Sequence, residues 1–232
     1  MLTYEIKGGS MPVAICYLNS GQKIVSESGA MGWMSDNILM DTNMKGGFFK
    51  SIGRSLSGES MFLNTFTAMN GAAKIAFPCS VPGKIMAKEL QHNESIICQK
   101  GTFVASEESV SLNIHFRKKL SNGFFGGEGF ILQRITGPGT VFLEFDGFVE
   151  EVILSPGERL KVDTGHVAAF DPSVGFDVEM VKGFKNIFFG GEGLFLTTLT
   201  GPGKVYLQTM PLQTLAGKLS MYFATNGNNM RD

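Results

Sequence analysis

Charge is scarce in this chain. Asp, Glu, Lys and Arg make up 18% of 232 residues, and 20 basic against 21 acidic side chains leave a formal net charge of −1. Soluble domains usually carry roughly 25% charged residues. So even a balance excludes general polycationic affinity for nucleic acid and leaves only local basic patches open. Cysteine is rare as well. Cys16, Cys79 and Cys98 are odd in number and show no CxxC spacing. That excludes a disulfide framework and a cysteine zinc site, and makes the reducing cytoplasm the simplest compartment. No apolar run approaches the roughly 18 residues of a membrane-spanning helix, and no signal peptide or mitochondrial presequence is expected.

What is abundant is glycine, 30 residues, and phenylalanine, 20 residues. Many tight turns around an aromatic-rich core suit an all-β protein. The glycines also mark an internal repeat. Gly58, Gly127 and Gly191 are each followed at fixed offsets by Glu59, Glu128 and Glu192, then Leu63, Leu132 and Leu196, then Thr67, Thr136 and Thr200. Upstream, Leu18, Leu90 and Leu154 precede Gly29, Gly101 and Gly165 by one common spacing. A period of about 65 residues is too long for a solenoid unit and suits a small sheet repeated around an axis. The expected architecture is a single domain, 1–232, of three antiparallel units at 10–79, 80–146 and 147–210. These form sandwich-like layers with pseudo-threefold symmetry, followed by a tail at 211–232.

Within a copy the strands follow from alternation. Ile24 and Ser26, Ile96 and Cys98, and Leu160 and Val162 are equivalent pairs two apart, as on one face of a strand. About six short strands are expected per copy. Gly137-Pro138-Gly139 and Gly201-Pro202-Gly203 read as type II turns, with Met69-Asn70-Gly71 in their place in the first copy. Leu215, Leu219 and Tyr222 have helical spacing, which predicts a short helix over 212–222. The strand around Tyr4 and Ile6 resembles one that ends a copy, so it is expected to pair with the last copy and close a ring.

The paired Phe-Phe-Gly-Gly-Glu-Gly runs (124–129 and 188–193), the Thr-Gly-Pro-Gly turns (136–139 and 200–203) and the run from Pro156 to Phe170 resemble the altered-inheritance-of-mitochondria, or mitochondrial biogenesis, family. The resemblance covers nearly the whole chain. It implies a mostly antiparallel β fold related to the tryptophan RNA-binding attenuation protein, and a bacterial member of a family with many members of unknown function. The first copy departs from the pattern, with Ser57-Gly58-Glu59-Ser60 in place of Gly-Gly-Glu-Gly.

Two sets of residues are candidate sites. Glu59, Glu128 and Glu192 would hold a hard cation such as Ca²⁺ or Mg²⁺ if they converged on the axis. Flanked by glycines, they are expected instead to accept backbone N–H groups within turns. Basic residues precede the same turns: Lys45, Lys50 and Arg54, then Arg117, Lys118 and Lys119, then Lys182 and Lys185. With the Phe pairs beside them they would form loops able to bind a phosphate backbone with stacked bases, or an anionic membrane surface. The plainer reading is a solvated loop whose Phe side chains cap the core.

His92, His115 and His166 occupy inequivalent positions, which argues against a symmetric metal site, and the cysteines read as small buried apolar groups. Trp33 stands where the other copies have Ala105 and Ala169. Packing into a locally enlarged core is its plainer use, and anchoring a subunit contact is the alternative. No cluster of unrepeated titratable groups stands out, so no catalysis, cofactor or metal is expected. The function indicated is non-catalytic binding or scaffolding, with single-stranded nucleic-acid binding and peripheral membrane association as alternatives. Uncovered sheet edges would favour a homo-oligomer.

Overall fold

The structure, a computed structural model, describes residues 2–42, 63–118, 129–180 and 195–226. After β1 (Thr3–Lys7), the first segment holds β2 (Val13–Leu18), β3 (Lys23–Glu27), β4 (Trp33–Met34), β5 (Ile38–Asp41), β6 (Leu63–Ala68) and β7 (Ala73–Pro78). The second holds β8 (Gly83–Leu90), β9 (Ser95–Gln99), β10 (Phe103–Glu107), β11 (Ser111–Lys118), β12 (Phe130–Thr136) and β13 (Gly139–Asp146). The third holds β14 (Val149–Leu154), β15 (Arg159–Asp163), β16 (Val167–Phe170), β17 (Gly175–Met180), β18 (Phe195–Thr200) and β19 (Gly203–Gln208). A helix, α1 (Leu212–Asn226), ends the described chain. The fold is all-β and sandwich-like, and the helix starts where its apolar spacing predicts.

Antiparallel pairing recurs from segment to segment. The first strand of each pairs with its last, in β2–β7, β8–β13 and β14–β19. The second and fourth strands flank the fifth, as β3 and β5 flank β6, β9 and β11 flank β12, and β15 and β17 flank β18. The third pairs with the last, in β4–β7, β10–β13 and β16–β19. Local bonds recur as well, with changing chemistry. Gln22, Glu94 and Glu158 each accept the backbone N–H three residues upstream, from Asn19, Gln91 and Ser155. Ser35, Glu107 and Asp171 each accept the N–H of the last strand, from Lys74, Thr140 and Lys204. A hydroxyl, an amide and a carboxylate all serve, because the turn needs only an oxygen acceptor there.

Segments join through their sheets. β3 pairs with β10, and β9 with β16. Each of the two central sheets, β5-β6-β3-β10-β13-β8 and β11-β12-β9-β16-β19-β14, therefore takes three strands from one segment and three from the next. The end sheets are smaller: β1-β2-β7-β4 and β15-β18-β17. Three cores lie in series between these four sheets. The first joins Ile24, Phe66 and Phe77 to Ala105 and Phe142 of the second segment. The second joins Ile96, Ile135 and Leu143 to Val149 and Tyr206 of the third. The third contains Ile97, Leu132, Phe170, Leu199 and Val205. Ile96, Ile97 and Cys98 are all buried because β9 has a core on each face. That explains why the apolar run there is continuous instead of alternating.

Three expectations are corrected. β1 pairs with β2, not with the last segment, so it extends an end sheet and closes no ring. The Gly137–Pro138 and Gly201–Pro202 peptide bonds are cis, which belongs to type VI turns and not type II. Trp33 is 49% exposed rather than sunk in an enlarged core. Its cross-strand neighbour is Ala76, whereas the equivalent pairs are Ala105 with Phe142 and Ala169 with Tyr206. Large and small have changed strands, and the large one now lies on an outer edge.

Candidate functional site

Of the residues singled out by sequence, Lys45, Lys50, Arg54, Lys119, Lys182, Lys185, Glu59, Glu128 and Glu192 lie outside the described residues. Arg117 and Lys118 close β11, opposite Ile131 and Phe130 of β12. They are strand residues and not loop residues, because the ladder runs further than the apolar pattern implied, and Arg117 is half-buried. His92 and His115 are exposed. Burial first, then the Arg134 charge, lower the His115 pKa. His166 Nδ1 lies 2.7 Å from the Gln208 carbonyl oxygen. Among the described residues no three His, Cys, Asp or Glu side chains form a metal-sized cluster.

Polar chemistry gathers elsewhere, where the second segment meets the third beneath the start of α1. The ends of β9 and β15 lead into 3-10 turns at Lys100–Thr102 and Thr164–His166. Gln99 Nε2 donates to the Thr164 carbonyl at 3.0 Å, and Thr102 Oγ1 to that of Ala168 at 3.4 Å. From β19, Gln208 donates to the Gly165 carbonyl at 3.0 Å and accepts the Asp146 N–H at 3.2 Å. Asp146 in turn accepts the first N–H of α1, from Leu212, at 2.8 Å. A carboxylate at that position suits the positive end of the helix dipole.

Glu144, two residues earlier on the same strand, accepts the N–H groups of Ser80 and Val81 and is 8% exposed. Burial raises the pKa of both carboxyls. For Glu144 the Ser80 and Val81 N–H groups oppose it and the Asp146 charge adds to it. For Asp146 the Leu212 N–H opposes it.

These groups line a cavity of about 90 Å³, which shares Gln99, Gly101 and Gln213 with a second cleft of about 220 Å³ bounded by Glu27, Lys100, Phe130 and Ile131. Both fall below the roughly 300 Å³ at which pockets for drug-sized ligands begin. Most of the polar capacity here is spent on backbone groups, within a segment or across to the next, with the buried Gln213 Oε1 an exception. The arrangement clasps one segment to the next and seats the helix.

Sequence reasoning missed Gln99, Thr102, Glu144, Asp146, Gln208 and Gln213. A signal was present for the first: Glu27, Gln99 and Asp163 are equivalent, so a polar residue ends the second strand in every copy.

The chain is similar to bacterial proteins along nearly its whole length. An uncharacterized protein of Streptococcus pyogenes serotype M6 is 30% identical over 225 residues, spanning 94% of this chain and 89% of that protein. The X-ray crystal structure of a Streptococcus pyogenes protein superposes with a TM-score of 0.77 at 28% identity, covering 96% of this chain and 100% of that one. Over residues 4–210 the sequence matches the description mitochondrial biogenesis AIM24, and the chain belongs to that family.

Proposed function

We propose that the chain is a non-catalytic binding and scaffolding protein. One observation carries this reading: Gln99, Thr102, Glu144, Asp146 and Gln208, which line the smaller cavity, are each hydrogen-bonded to backbone groups of neighbouring elements, two of them from the second segment to the third. Gln208 alone ties β19 to β13 and to the third segment's 3-10 turn. Groups held ready for chemistry are normally under-used in the resting fold, and replacing them tends to leave stability unchanged or raise it. Groups that clasp the fold behave oppositely.

Gln208→Leu keeps the volume and removes both bonds, leaving the part-buried Asp146 N–H and the buried Gly165 carbonyl without that partner. Each such group costs about 1–3 kcal/mol, and for a chain of this size each kcal/mol lowers the melting temperature by about 2–4 °C. A clear fall in melting temperature by differential scanning calorimetry is expected. An unchanged or raised value would mean that the amide is reserved for a ligand, and the reading would fail.

A cytoplasmic setting goes with this proposal. Cys16, Cys79 and Cys98 are free and buried. Among the described residues no helix is long and apolar enough to cross a membrane.

A further inference from the structure

The two joins between segments follow one pattern, and its third instance has no partner among the described residues. β3 adds β10 at Ser26↔Ala105, and β9 adds β16 at Cys98↔Ala169. The equivalent strands for a third join are β15 and β4. Among the described residues each is the edge of an end sheet, β15 pairing only with β18 and β4 only with β7. An unpaired edge displays a row of backbone donors and acceptors to another chain.

Burial marks the same two places. Leu160 and Val162 on β15 are half-buried, whereas their counterparts Ile24, Ser26, Ile96 and Cys98 are fully buried. Both belong to the partly buried fringe of the third core, alongside Val152, Phe176 and Leu207. In the first core the corresponding side is covered by the next segment, through Ile85, Ala105 and Phe142. In the second it is covered by Val149, Ala169 and Tyr206. Their first-segment counterparts are Val13, Trp33 and Ala76. These lie on the face of the end sheet turned away from the first core, where Trp33 is half in solvent and Val13 half-buried, while Ala76 is already fully buried. Among the described residues the chain thus carries a partly covered core at one end and, at the other, the counterparts of the residues that cover such a core in both internal joins.

We propose that the protein associates head to tail with a second copy of itself, β4 of one copy adding to the β15 edge of the next. In this join Trp33 of the partner subunit stands opposite Val162 and closes the third core. A heterologous contact of this kind closes into a ring or runs on as a filament according to its rotation. Lys161 stands where Val25 and Ile97 stand in the inner sheets, and it is ion-paired to Glu179 at 2.9 Å. A charged side chain there weakens the join relative to the internal ones, so association is concentration-dependent. The proposal deepens the scaffold reading and rests on it, and the two fail separately: a monomer refutes the assembly, while the melting temperature of Gln208→Leu judges the scaffold.

Light scattering and sedimentation on the full chain test it, with Trp33 fluorescence as a second readout, since it is the only tryptophan. Mass should rise with concentration to twice the 25.1 kDa of one chain or more, with a parallel blue shift of the emission. Trp33→Asp and Val162→Asp alter opposite ends, and each should be monomeric alone. Mixed, they should form a dimer and nothing larger, because one variant keeps an intact head and the other an intact tail. Lys161→Val should raise the mass at a given concentration. A monomer at every concentration, an assembly indifferent to both aspartate variants, or single variants that stay monomeric on mixing would each overturn the proposal. Circular dichroism of the variants separates loss of assembly from loss of fold.

Discussion

Phe142 and Leu143 are neighbours on β13, both fully buried, and they face different cores. Phe142 packs with Cys16, Ile75 and Phe77 of the first segment, and its ring meets Tyr4 edge-on at 5.1 Å between centroids. Leu143 packs with Ile96, Leu112 and Ile135 of its own segment. If the cores lie in series, truncating adjacent residues should loosen different parts of the molecule. Phe142→Ala should cost about 3–5 kcal/mol and Leu143→Ala about 2–5 kcal/mol, from lost transfer energy plus residual cavity. Part of the first figure, about 0.5–1.5 kcal/mol, is the aromatic pair. At about 2–4 °C per kcal/mol the melting temperature should fall by roughly 6–20 °C for Phe142→Ala. A fold of about 5–15 kcal/mol would remain largely populated at room temperature. Hydrogen exchange read by mass spectrometry locates the damage. Phe142→Ala should deprotect β2 and β7, and Leu143→Ala should deprotect β9 and β12. Identical deprotection patterns, or a melting shift below about 2 °C for Phe142→Ala, would refute the serial arrangement.

A Cβ at Gly137 would lie 2.6 Å from the Leu90 carbonyl oxygen and one at Gly201 would clash with that of Ser155, whereas one at Gly101 meets nothing within 4 Å. Alanine at Gly137 or Gly201 should therefore cost about 1–3 kcal/mol in denaturant unfolding, and Gly101→Ala should stay near neutral. A costly Gly101→Ala would show that this space is filled. Burial first, then the Glu107 charge, push the Cys16 thiol pKa up to about 12, and burial, then the Glu27 charge, raise that of Cys98. Neither should react with a thiol reagent in the native protein, while all three cysteines should react in guanidinium; rapid native labelling of Cys16 or Cys98 would contradict the packing. Glu144 and Asp146 bind protons more tightly folded than unfolded, starting from ordinary values of 4.5 and 3.8. Their contribution is fully present below those values and is lost as pH rises through the raised ones. The melting temperature of the wild type relative to Glu144→Gln/Asp146→Asn should decline from about pH 4 to pH 7, and a flat or rising difference would reverse the sign.

The strands were legible because their chemistry is local. Ile96 and Cys98 sit on one face of a strand whatever covers them, and Gly139 and Gly203 announce turns whichever turn type forms. Which core a face meets is another matter. Nothing in the alternation of β13 says that Phe142 serves the first segment and Leu143 the second, because pairing of β10 with β3 depends on residues about 80 apart in sequence. The clasp around Gln99, Glu144 and Gln208 was illegible for a related reason. Repeated identities mark residues that must be one amino acid, such as a turn glycine. Where a turn asks only for an oxygen acceptor, Ser35, Glu107 and Asp171 do equal work and share no identity.

The same distinction bears on Trp33. Read as a letter, it breaks the repeat at a position held by alanine in the other copies. Read with its neighbour, it preserves a rule: each pair across the third and last strands holds one small and one large side chain. In Ala105–Phe142 and Ala169–Tyr206 the large member lies on the inner strand of a covered sheet, 0% and 5% exposed. In Trp33–Ala76 the large member has moved to the strand that, among the described residues, has no neighbour beyond it. In an interior copy the exchange would set an indole beside Ser26 of β3 or Cys98 of β9, which are already fully buried next to alanine. Val162, their counterpart on β15, is only half-buried, and the exchange places the residue with the most apolar surface to bury against another chain on the edge strand that, among the described residues, is left uncovered.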